Sequence, residues 1–430
     1  MLKTDNIYFY LIMLTLLATV VGALFIGFLD ELIALLMGVV VLLDAMVNNR
    51  WKHYRLLYAM VAIMGFYAVM SVTCYHFNTT KAILYDFVLQ MKPLLPLAVF
   101  YVARPTLTER QKGMVRLTCV SLSVFSDAVL LVGLNDIVFG HVATTGNAIY
   151  VLFLFYLYCA PEPDGTLSRR RLAIALLLVA LGLVSTRSKY FGEMGFAAFM
   201  LLAYKPGMLR QVKPSYIMGL IAMLAVVTAL IYPKLEYYFL QNISSDFSEE
   251  EVLNMARPAL YYGMAQILGD YPVFGPGLAT FAVYASSPSV NYSALYADYN
   301  LDKVWGLSES MPDFICDAFY PELAQFGFVG IALFVLLWFW IYRRLRIVLR
   351  QGCKHLFITG ALCIAFILIE STTNSTFTKC YGEAVMMLLG MIIAPTRAMS
   401  ERERKDILQH SPNYTNKPTI HKKTENYGKG

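Results

Sequence analysis

Three basic residues lie where basic residues are scarce in this sequence. Arg187 and Lys189 interrupt an apolar stretch, and Arg257 stands next to Pro258. An arginine side chain keeps its charge, and its planar fork can bind two phosphate oxygens. Because Pro258 fits the first turn of a helix, Arg257 would lie beside unpaired backbone N–H groups that favour an anion. These residues could bind an anionic group; alternatively Arg257 is solvated at a helix break, and the other two side chains extend to lipid headgroups.

Four carboxylates lie in the segment that closes the long loop after Arg257, residues 308–334. They are Glu309, Asp313, Asp317 and Glu322. A carboxylate can take a proton from an attacking hydroxyl, and it can equally cap a helix or bind a hydroxyl. The seven cysteines form no CxxC pair, and we predict neither a metal site nor a cofactor.

The composition indicates a membrane protein. Hydrophobic residues make up 58% of the 430, charged residues make up 15%, and the mean hydropathy is +0.56. Soluble domains average roughly 45–50% apolar and about 25% charged residues. A chain with so few polar residues cannot cover its surface with polar groups, so the remaining apolar surface must face lipid.

Apolar runs predict an all-α polytopic fold with about twelve transmembrane helices, which extends over residues 1–395. A helix that crosses about 30 Å of hydrocarbon needs roughly 20 mainly apolar residues. The candidate spans are 7–29, 31–48, 54–75, 82–103, 114–134, 146–160, 172–186, 190–204, 216–232, 319–342, 356–371 and 380–395. The first is too long for the apolar region of a signal peptide, and a second follows at once, so we expect it to be retained.

The distribution of basic residues predicts the orientation. If residue 1 is cytoplasmic and the spans alternate, 27 of the 35 lysines and arginines lie on the cytoplasmic side and 7 on the opposite side. Positive charge concentrates in the cytoplasmic loops of membrane proteins. We therefore predict cytoplasmic N- and C-termini. Arg187, Lys189 and Arg257 are among the few basic residues on the extracytoplasmic side.

One long connection separates the ninth and tenth spans. It extends over residues 233–318 on the predicted extracytoplasmic side, and loops of this length are usually functional. Ser248 and Glu251 have capping-box spacing, and Pro258 predicts a second helix that ends near Leu268. Residues 396–430 are polar and basic, and we expect a disordered cytoplasmic tail.

Three segments carry motifs that together resemble one known family. STRSKYFGEMGFAAFM (185–200) contains Ser-Arg followed by a helix rich in small residues. ARPALYYGMAQILGDYPVFGPGLATF (256–281) contains Arg, aromatic residues, and then Pro and Gly-x-Gly. DFICDAFYPELAQFGFVGI (313–331) ends in Gly-x-x-Gly where a helix re-enters the membrane. With these motifs the chain resembles the bacterial O-antigen and exopolysaccharide polymerases and the related O-antigen ligases, while its first half matches only in hydropathy.

The resemblance implies a reaction at the bacterial inner membrane. A glycan linked through pyrophosphate to a polyprenyl carrier is transferred to an acceptor hydroxyl on the extracytoplasmic side, and the carrier pyrophosphate leaves. Cations must face the departing diphosphate, and the resemblance gives that role to Arg187 and Arg257. The residues expected to bind substrate are Lys189, Lys92, Tyr261, Tyr262, Gly275 and Gly277. The expected partners are the lipid-linked oligosaccharide, membrane lipids and, as a candidate, a chain-length regulator protein, with no nucleic acid.

The sequence departs from the family pattern in one respect. Ligases of this superfamily and many polymerases carry a histidine in the large loop, and residues 233–318 contain none. If a side chain acts as base, the nearest candidates are Asp313, Asp317 and Glu322. The missing histidine favours a polymerase over a ligase.

Lys92 and the pair Asp30 and Glu31 allow alternative interpretations. Lys92 lies near the middle of the fourth span, where a buried ammonium needs a partner or a wet cavity. It could contact the carrier phosphate, or it could pair with Asp127 of the fifth span. Acids in the first outer loop are typical of metal-dependent transferases that use polyprenyl monophosphate sugars. Adjacent acids also suit a tight turn between spans, which is the interpretation we favour.

Two further classes of membrane protein fit the hydropathy profile. A twelve-span transporter usually has two similar halves, whereas the long loop here follows the ninth span. A flippase for the same lipid-linked glycans would have a similar profile. Loss of a polymerase should leave single repeat units on the outer face of the membrane, whereas loss of a flippase should trap them on the cytoplasmic face.

Overall fold

The computed structural model describes residues 4–25, 29–47, 49–134, 138–139, 142–162, 167–204 and 255–394. Within these ranges the regular elements are helices, and no strand is present. The principal helices are α1 (Thr4–Phe25), α2 (Leu29–Val47), α3 (Arg55–Met70), α4 (Thr80–Ala103), α5 (Glu109–Leu131), α6 (Val142–Cys159), α7 (Arg169–Leu181), α8 (Ser188–Leu202), α9 (Ala256–Asp270), α10 (Gly327–Arg350), α11 (Lys354–Glu370) and α12 (Cys380–Ile393). The all-α prediction is therefore confirmed for the described residues.

Helices lie at eleven of the twelve predicted spans, and the other span, residues 216–232, lies outside the described residues. In the described part of the chain, four helical stretches are long and apolar enough to cross a membrane: Trp51–Tyr75, Thr80–Ala103, Glu109–Leu131 and Phe319–Arg350. Shorter apolar helices extend over Asn6–Val20, Thr144–Cys159 and Cys380–Ile393. The count of twelve spans stays a prediction. The proposed tail, residues 396–430, and the capping box at Ser248 and Glu251 also lie outside the described residues.

Side-chain caps fix where two of the long helices begin. At α4, Thr79 Oγ1 accepts a hydrogen bond from the backbone N–H of Ala82. At α5, Thr108 and Gln111 form a complete capping box. Each cap satisfies backbone N–H groups that a helix otherwise leaves unpaired. The starts of both helices are therefore encoded locally.

Helices α6 and α12 lie at the centre of the unit that Met1–Ile393 forms. Ten consecutive residues of α6, 148–157, and thirteen of α12, 381–393, are buried on every side of the helix. A helix that is apolar all round is typically buried, and here α5 packs against α6 while α4 packs along α12. A Cβ atom on Gly390 would lie 2.7 Å from the carbonyl oxygen of Leu97, so this glycine permits α4 and α12 to approach closely.

The peripheral helices present apolar side chains on their outer faces. Leu35 and Met46 of α2, Leu117 of α5 and Phe339 of α10 are between 60% and 68% exposed. Large exposed apolar surfaces mark sites of interaction with lipid or protein. Because the exposed side chains are spread over several helices that are apolar overall, the surface is typical of a protein surrounded by lipid.

Residues 255–318, the described part of the predicted loop, supply most of a separate hydrophobic cluster. The longest helix there is α9, and Pro258 lies in its first turn, as the sequence predicts. Tyr296 is fully buried, and its ring stacks on that of Tyr292 with the centroids 5.1 Å apart. Tyr296 therefore packs into the interior of this region against Tyr292, whereas Tyr284 is 46% exposed.

Candidate functional site

Arg187 and Lys189 both approach the carboxylate of Glu370. Arg187 Nη1 lies 3.8 Å from Glu370 Oε2, and Lys189 Nζ lies 2.6 Å from the same oxygen. Lys189 Nζ also donates a hydrogen bond to Thr373 Oγ1, 3.0 Å away. The Glu370 side chain is 1% exposed, whereas those of Arg187 and Lys189 are 20% and 16% exposed. Two cations are thus held by a buried carboxylate, and part of each remains accessible.

A sharp turn of the chain positions these two cations. Helix α7 continues into a 3₁₀ turn, Gly182–Ser185, and Thr186 has a left-handed backbone with φ +52°. Arg187 follows as the residue before the first turn of α8. A Cβ atom on Gly182 would lie 2.1 Å from Tyr190 Oη, so the glycine permits the turn to pack on this ring. Both cations therefore lie at the junction of α7 and α8.

A second buried carboxylate belongs to the same site. Glu193 lies one turn after Lys189 in α8 and is 1% exposed. It interacts electrostatically with Glu370, Lys189 and Arg187. Two carboxylates and two cations therefore share one site, and their formal charges cancel.

Arg257 lies in the first turn of α9 and pairs with Asp317. Arg257 Nε lies 2.5 Å from Asp317 Oδ2. One turn further along α9, Tyr261 Oη donates a hydrogen bond to the carbonyl oxygen of Thr372, 2.8 Å away. Helix α9 is thereby bonded to the chain just after Glu370, close to the residue that binds Lys189.

A polar segment between α11 and α12, residues 371–379, joins the two arginine sites; we call it the α11–α12 segment. Thr373 accepts a hydrogen bond from Lys189, and Thr372 accepts one from Tyr261. These bonds connect α8 and α9, which are far apart in sequence, through two adjacent threonines. Lys189 and Tyr261 therefore contact adjacent residues of this segment, and Arg187 and Arg257 lie two residues before Lys189 and one turn before Tyr261 along the chain.

The same segment is also bonded to the residue before Asp317. Ser375 Oγ donates a hydrogen bond to the carbonyl oxygen of Cys316, 3.0 Å away. Burial raises the pKa of the Cys316 thiol to about 12. The thiol therefore stays protonated near neutral pH and does not supply a nucleophilic thiolate.

Glu370, Glu193 and the α11–α12 segment were not identified from the sequence. Glu370 falls inside the predicted span 356–371, and Glu193 falls inside the predicted span 190–204. An acid within a predicted span is itself a signal, because charged residues at membrane depth are rare and usually functional. Applied to these two positions, that rule would have selected both.

Glu322 lies in a different buried cluster. Glu322 Oε1 accepts a hydrogen bond from Gln90 Nε2, and Gln90 also donates to Asp86 Oδ1, 3.0 Å away. Asp86 Oδ2 accepts from the backbone N–H of Ala279 at 2.7 Å. These three side chains are at most 3% exposed. Glu322 therefore contacts α4, and among the described residues no ion pair joins it to a cation.

Gly275 and Gly277 shape the turn that packs on this cluster. Both have a positive φ, +68° and +99°. A Cβ atom would lie 2.4 Å from the carbonyl oxygen of Gln325 at Gly275 and 2.3 Å from Ser71 Oγ at Gly277. The glycines are thus required by the close approach of the turn to its neighbours. Their contact with a substrate stays a prediction.

Lys92 pairs with the two acids of the first connection. Lys92 Nζ lies 2.6 Å from Asp30 Oδ2 and 3.1 Å from Glu31 Oε1. Both acids stand in the first turn of α2, where negative charge is favourable. The interpretation that Lys92 pairs with Asp127 is wrong, because α4 directs the ammonium group toward α2 and not toward α5. Within the described ranges, no group of three or more His, Cys, Asp or Glu residues could hold a metal ion.

The remaining two candidates lie at the surface. Asp313 is exposed in the turn after Pro312, and the ring of Tyr262 is 42% exposed on α9. Neither residue belongs to the cluster of side chains around Glu370. A role in binding the acceptor glycan stays a prediction for both.

Comparisons with known proteins add no relative to this description. No protein-family model, no curated protein and no solved structure matches the chain. The resemblance of the three segments to the O-antigen polymerases and ligases therefore stays a prediction.

Proposed function

We propose that this protein is a glycosyltransferase that polymerises lipid-linked oligosaccharides into a surface polysaccharide such as O-antigen, capsule or exopolysaccharide. The donor is a repeat unit on polyprenyl pyrophosphate, and the acceptor is a hydroxyl group of a second unit. The reaction takes place on the extracytoplasmic face of the bacterial inner membrane and uses no metal ion.

This proposal rests on contacts with one short stretch of chain, which Arg187 makes directly and Tyr261 makes one turn after Arg257. Arg187 approaches Glu370, and Tyr261, one turn after Arg257, binds Thr372. A diphosphate that departs from a sugar needs positive charge on its oxygens. Guanidinium groups supply that charge with paired N–H donors, so two of them near one segment fit a diphosphate.

An apolar groove between α3, α4 and α10 suits the polyprenyl chain. Its walls include Met60, Ile63, Leu94, Leu337, Trp340 and Phe377. Phe377 belongs to the α11–α12 segment, so the groove reaches the stretch of chain that binds Lys189 and Tyr261. A lipid tail in this groove would bring its headgroup toward the cations.

Contacts at the opposite helix ends support the proposed orientation. Arg116 of α5 donates to the carbonyl oxygen of Cys159 at 2.7 Å, and Arg171 of α7 donates to that of Ala160 at 2.8 Å. Arg116 lies at the start of the fifth predicted span and Arg171 just before the seventh, and both spans begin on the predicted cytoplasmic side. Arg187 follows the other end of α7. With this orientation the chain has twelve spans, cytoplasmic termini and the large loop outside.

The test follows lipid-linked repeat units in cells that depend on this protein for their polysaccharide. Arg187→Ala and Arg257→Ala should abolish long chains and leave single repeat units on the outer face of the membrane. Lys303→Ala is the matched control. Lys303 is a cation of the same predicted loop, and within the described residues its ammonium group bonds only to Asn300 Oδ1. This variant should keep normal chains.

The other outcomes identify the competing classes. Repeat units trapped on the cytoplasmic face would indicate a flippase. Long chains that form but remain on the carrier would indicate a ligase. Normal long chains at a normal protein level in both arginine variants would refute the proposed site.

A further inference from the structure

Glu370 is placed to take part in the proposed reaction itself. It is the last residue of α11, its side chain is 1% exposed, and Oε2 lies 2.6 Å from Lys189 Nζ and 3.8 Å from Arg187 Nη1. The charged and titratable groups that face it are Arg187, Lys189 and Glu193 from α8 and Tyr381 from α12. A buried carboxylate therefore contacts two cations that remain partly exposed.

The site holds two cations and two carboxylates. Arg187 and Lys189 are the cations, and Glu193 and Glu370 are the buried carboxylates beside them. A diphosphate bound by the cations would add negative charge beside these carboxylates. Like charges repel strongly in a poorly solvated site. A carboxylate that accepts the proton of the acceptor hydroxyl would relieve this repulsion.

We propose that Glu370 is the general base of the proposed polymerase, an inference that rests on the function proposed above. The acceptor hydroxyl oxygen forms a bond to the anomeric carbon of the donor. The bond from that carbon to the pyrophosphate oxygen breaks, and the pyrophosphate leaves with the electron pair. The hydroxyl proton passes to the Glu370 carboxylate, and Arg187 and Lys189 turn from this carboxylate to the departing diphosphate.

The other carboxylates are less suited to this step. Asp317 is held by Arg257 at 2.5 Å, and Glu322 is bonded to Gln90 within the separate cluster on α4. Asp313 is exposed to solvent. Glu370 combines burial with direct contact to the cations that the diphosphate would bind. Glu370 can also act as the base in place of the histidine that residues 233–318 lack.

The test uses the purified full-length chain in proteoliposomes with two measurements. The first is the polymerisation rate with lipid-linked repeat units extracted from cells that carry the Arg187→Ala variant. The second is binding of inorganic pyrophosphate. Glu370→Gln should lower the rate roughly 100-fold or more, because general base catalysis contributes about 10²–10⁴. It should bind pyrophosphate at least as tightly as the wild type, because a negative charge has been removed.

The conservative variant Glu370→Asp separates the base from a structural role. It keeps a carboxylate in a shifted position, so its rate should be lower than that of the wild type but well above that of Glu370→Gln. Glu370→Asp also tests the role of the carboxylate if Glu370→Gln does not fold.

Three results would overturn the role of Glu370: a wild-type rate in Glu370→Gln, a rate in Glu370→Asp no higher than that in Glu370→Gln, or parallel loss of pyrophosphate binding and rate in a folded Glu370→Gln. If the wild-type chain itself forms no polymer from the extracted units, the proposed function fails. If the wild type forms polymer and any of the three results is obtained, only the role of Glu370 is refuted and the proposed function stands.

Discussion

Tyr261 Oη donates a 2.8 Å hydrogen bond to the carbonyl oxygen of Thr372. This bond joins α9 to the α11–α12 segment, next to the threonine that binds Lys189. Such a bond contributes only about 1 kcal/mol to stability. Its main consequence is therefore positional, because it fixes α9, and Arg257 one turn earlier, relative to the other cations.

Removal of the Tyr261 hydroxyl should impair polymerisation without loss of protein. In Tyr261→Phe the ring remains, so the free energy of unfolding should fall by about 1 kcal/mol. A displacement of the reacting groups by roughly 1 Å can cost about 100-fold in rate, so we expect a loss between a few-fold and that limit. The measurement is the chain-length distribution of the surface polysaccharide. Tyr284→Phe, on a ring of the same loop that is 46% exposed, is the control, and equal chain lengths in the two variants would contradict the prediction.

Polymer synthesis should depend on the shape of the Arg257 side chain as well as on its charge. Arg257→Lys keeps the positive charge and loses the planar fork, so polymer synthesis should fall while the protein level stays normal. The protein level should hold because the ion pair with Asp317 is partly exposed, 46% and 22% for the two side chains, and such pairs contribute roughly 0–1 kcal/mol. Full activity of the lysine variant would show that charge alone suffices.

Asp317 should act by positioning Arg257 and not as the base. Asp317→Asn removes the charge and keeps the size of the side chain, so polymerisation should fall less than ten-fold, well short of the roughly 10²–10⁴-fold loss expected of a general base. The rate is measured in the proteoliposome assay beside Glu370→Gln. A loss in Asp317→Asn as large as that in Glu370→Gln would transfer the role of base to Asp317.

The sequence predicts those features of the fold that depend on residues close together in the chain. Helix α9 begins where Pro258 indicates, because proline at the first turn is a local signal. The partner of Lys92 was not predictable, since it depends on α4 packing against α2, and neither hydropathy nor spacing specifies which helices become neighbours. Glu370 was missed for a related reason: at the end of an apolar run it gives no sign of the cations that approach it from α8.

Gly277 should tolerate no side chain. Its φ of +99° is strained for any other residue, and a Cβ atom there would lie 2.3 Å from Ser71 Oγ. Gly277→Ala should therefore destabilise the protein by roughly 1–3 kcal/mol or more. Gly269→Ala is the matched control, because a Cβ at Gly269 of α9 meets nothing within 4 Å. In detergent, thermal unfolding of the first variant should begin at a lower temperature and that of the second should not; equal unfolding temperatures would mean that the turn adapts.

Lys92 should stabilise the fold through its ion pairs with Asp30 and Glu31, and it should not bind the donor phosphate. Lys92→Met leaves Asp30 and Glu31 without a cation, and breaking a buried pair in this way costs roughly 3–5 kcal/mol. The protein level of this variant should fall sharply. Asp30→Asn and Glu31→Gln, added to Lys92→Met, remove the unpaired charges and should restore both the protein level and long polysaccharide chains. Restoration of the protein without the chains would instead indicate that the ammonium group contacts the carrier phosphate.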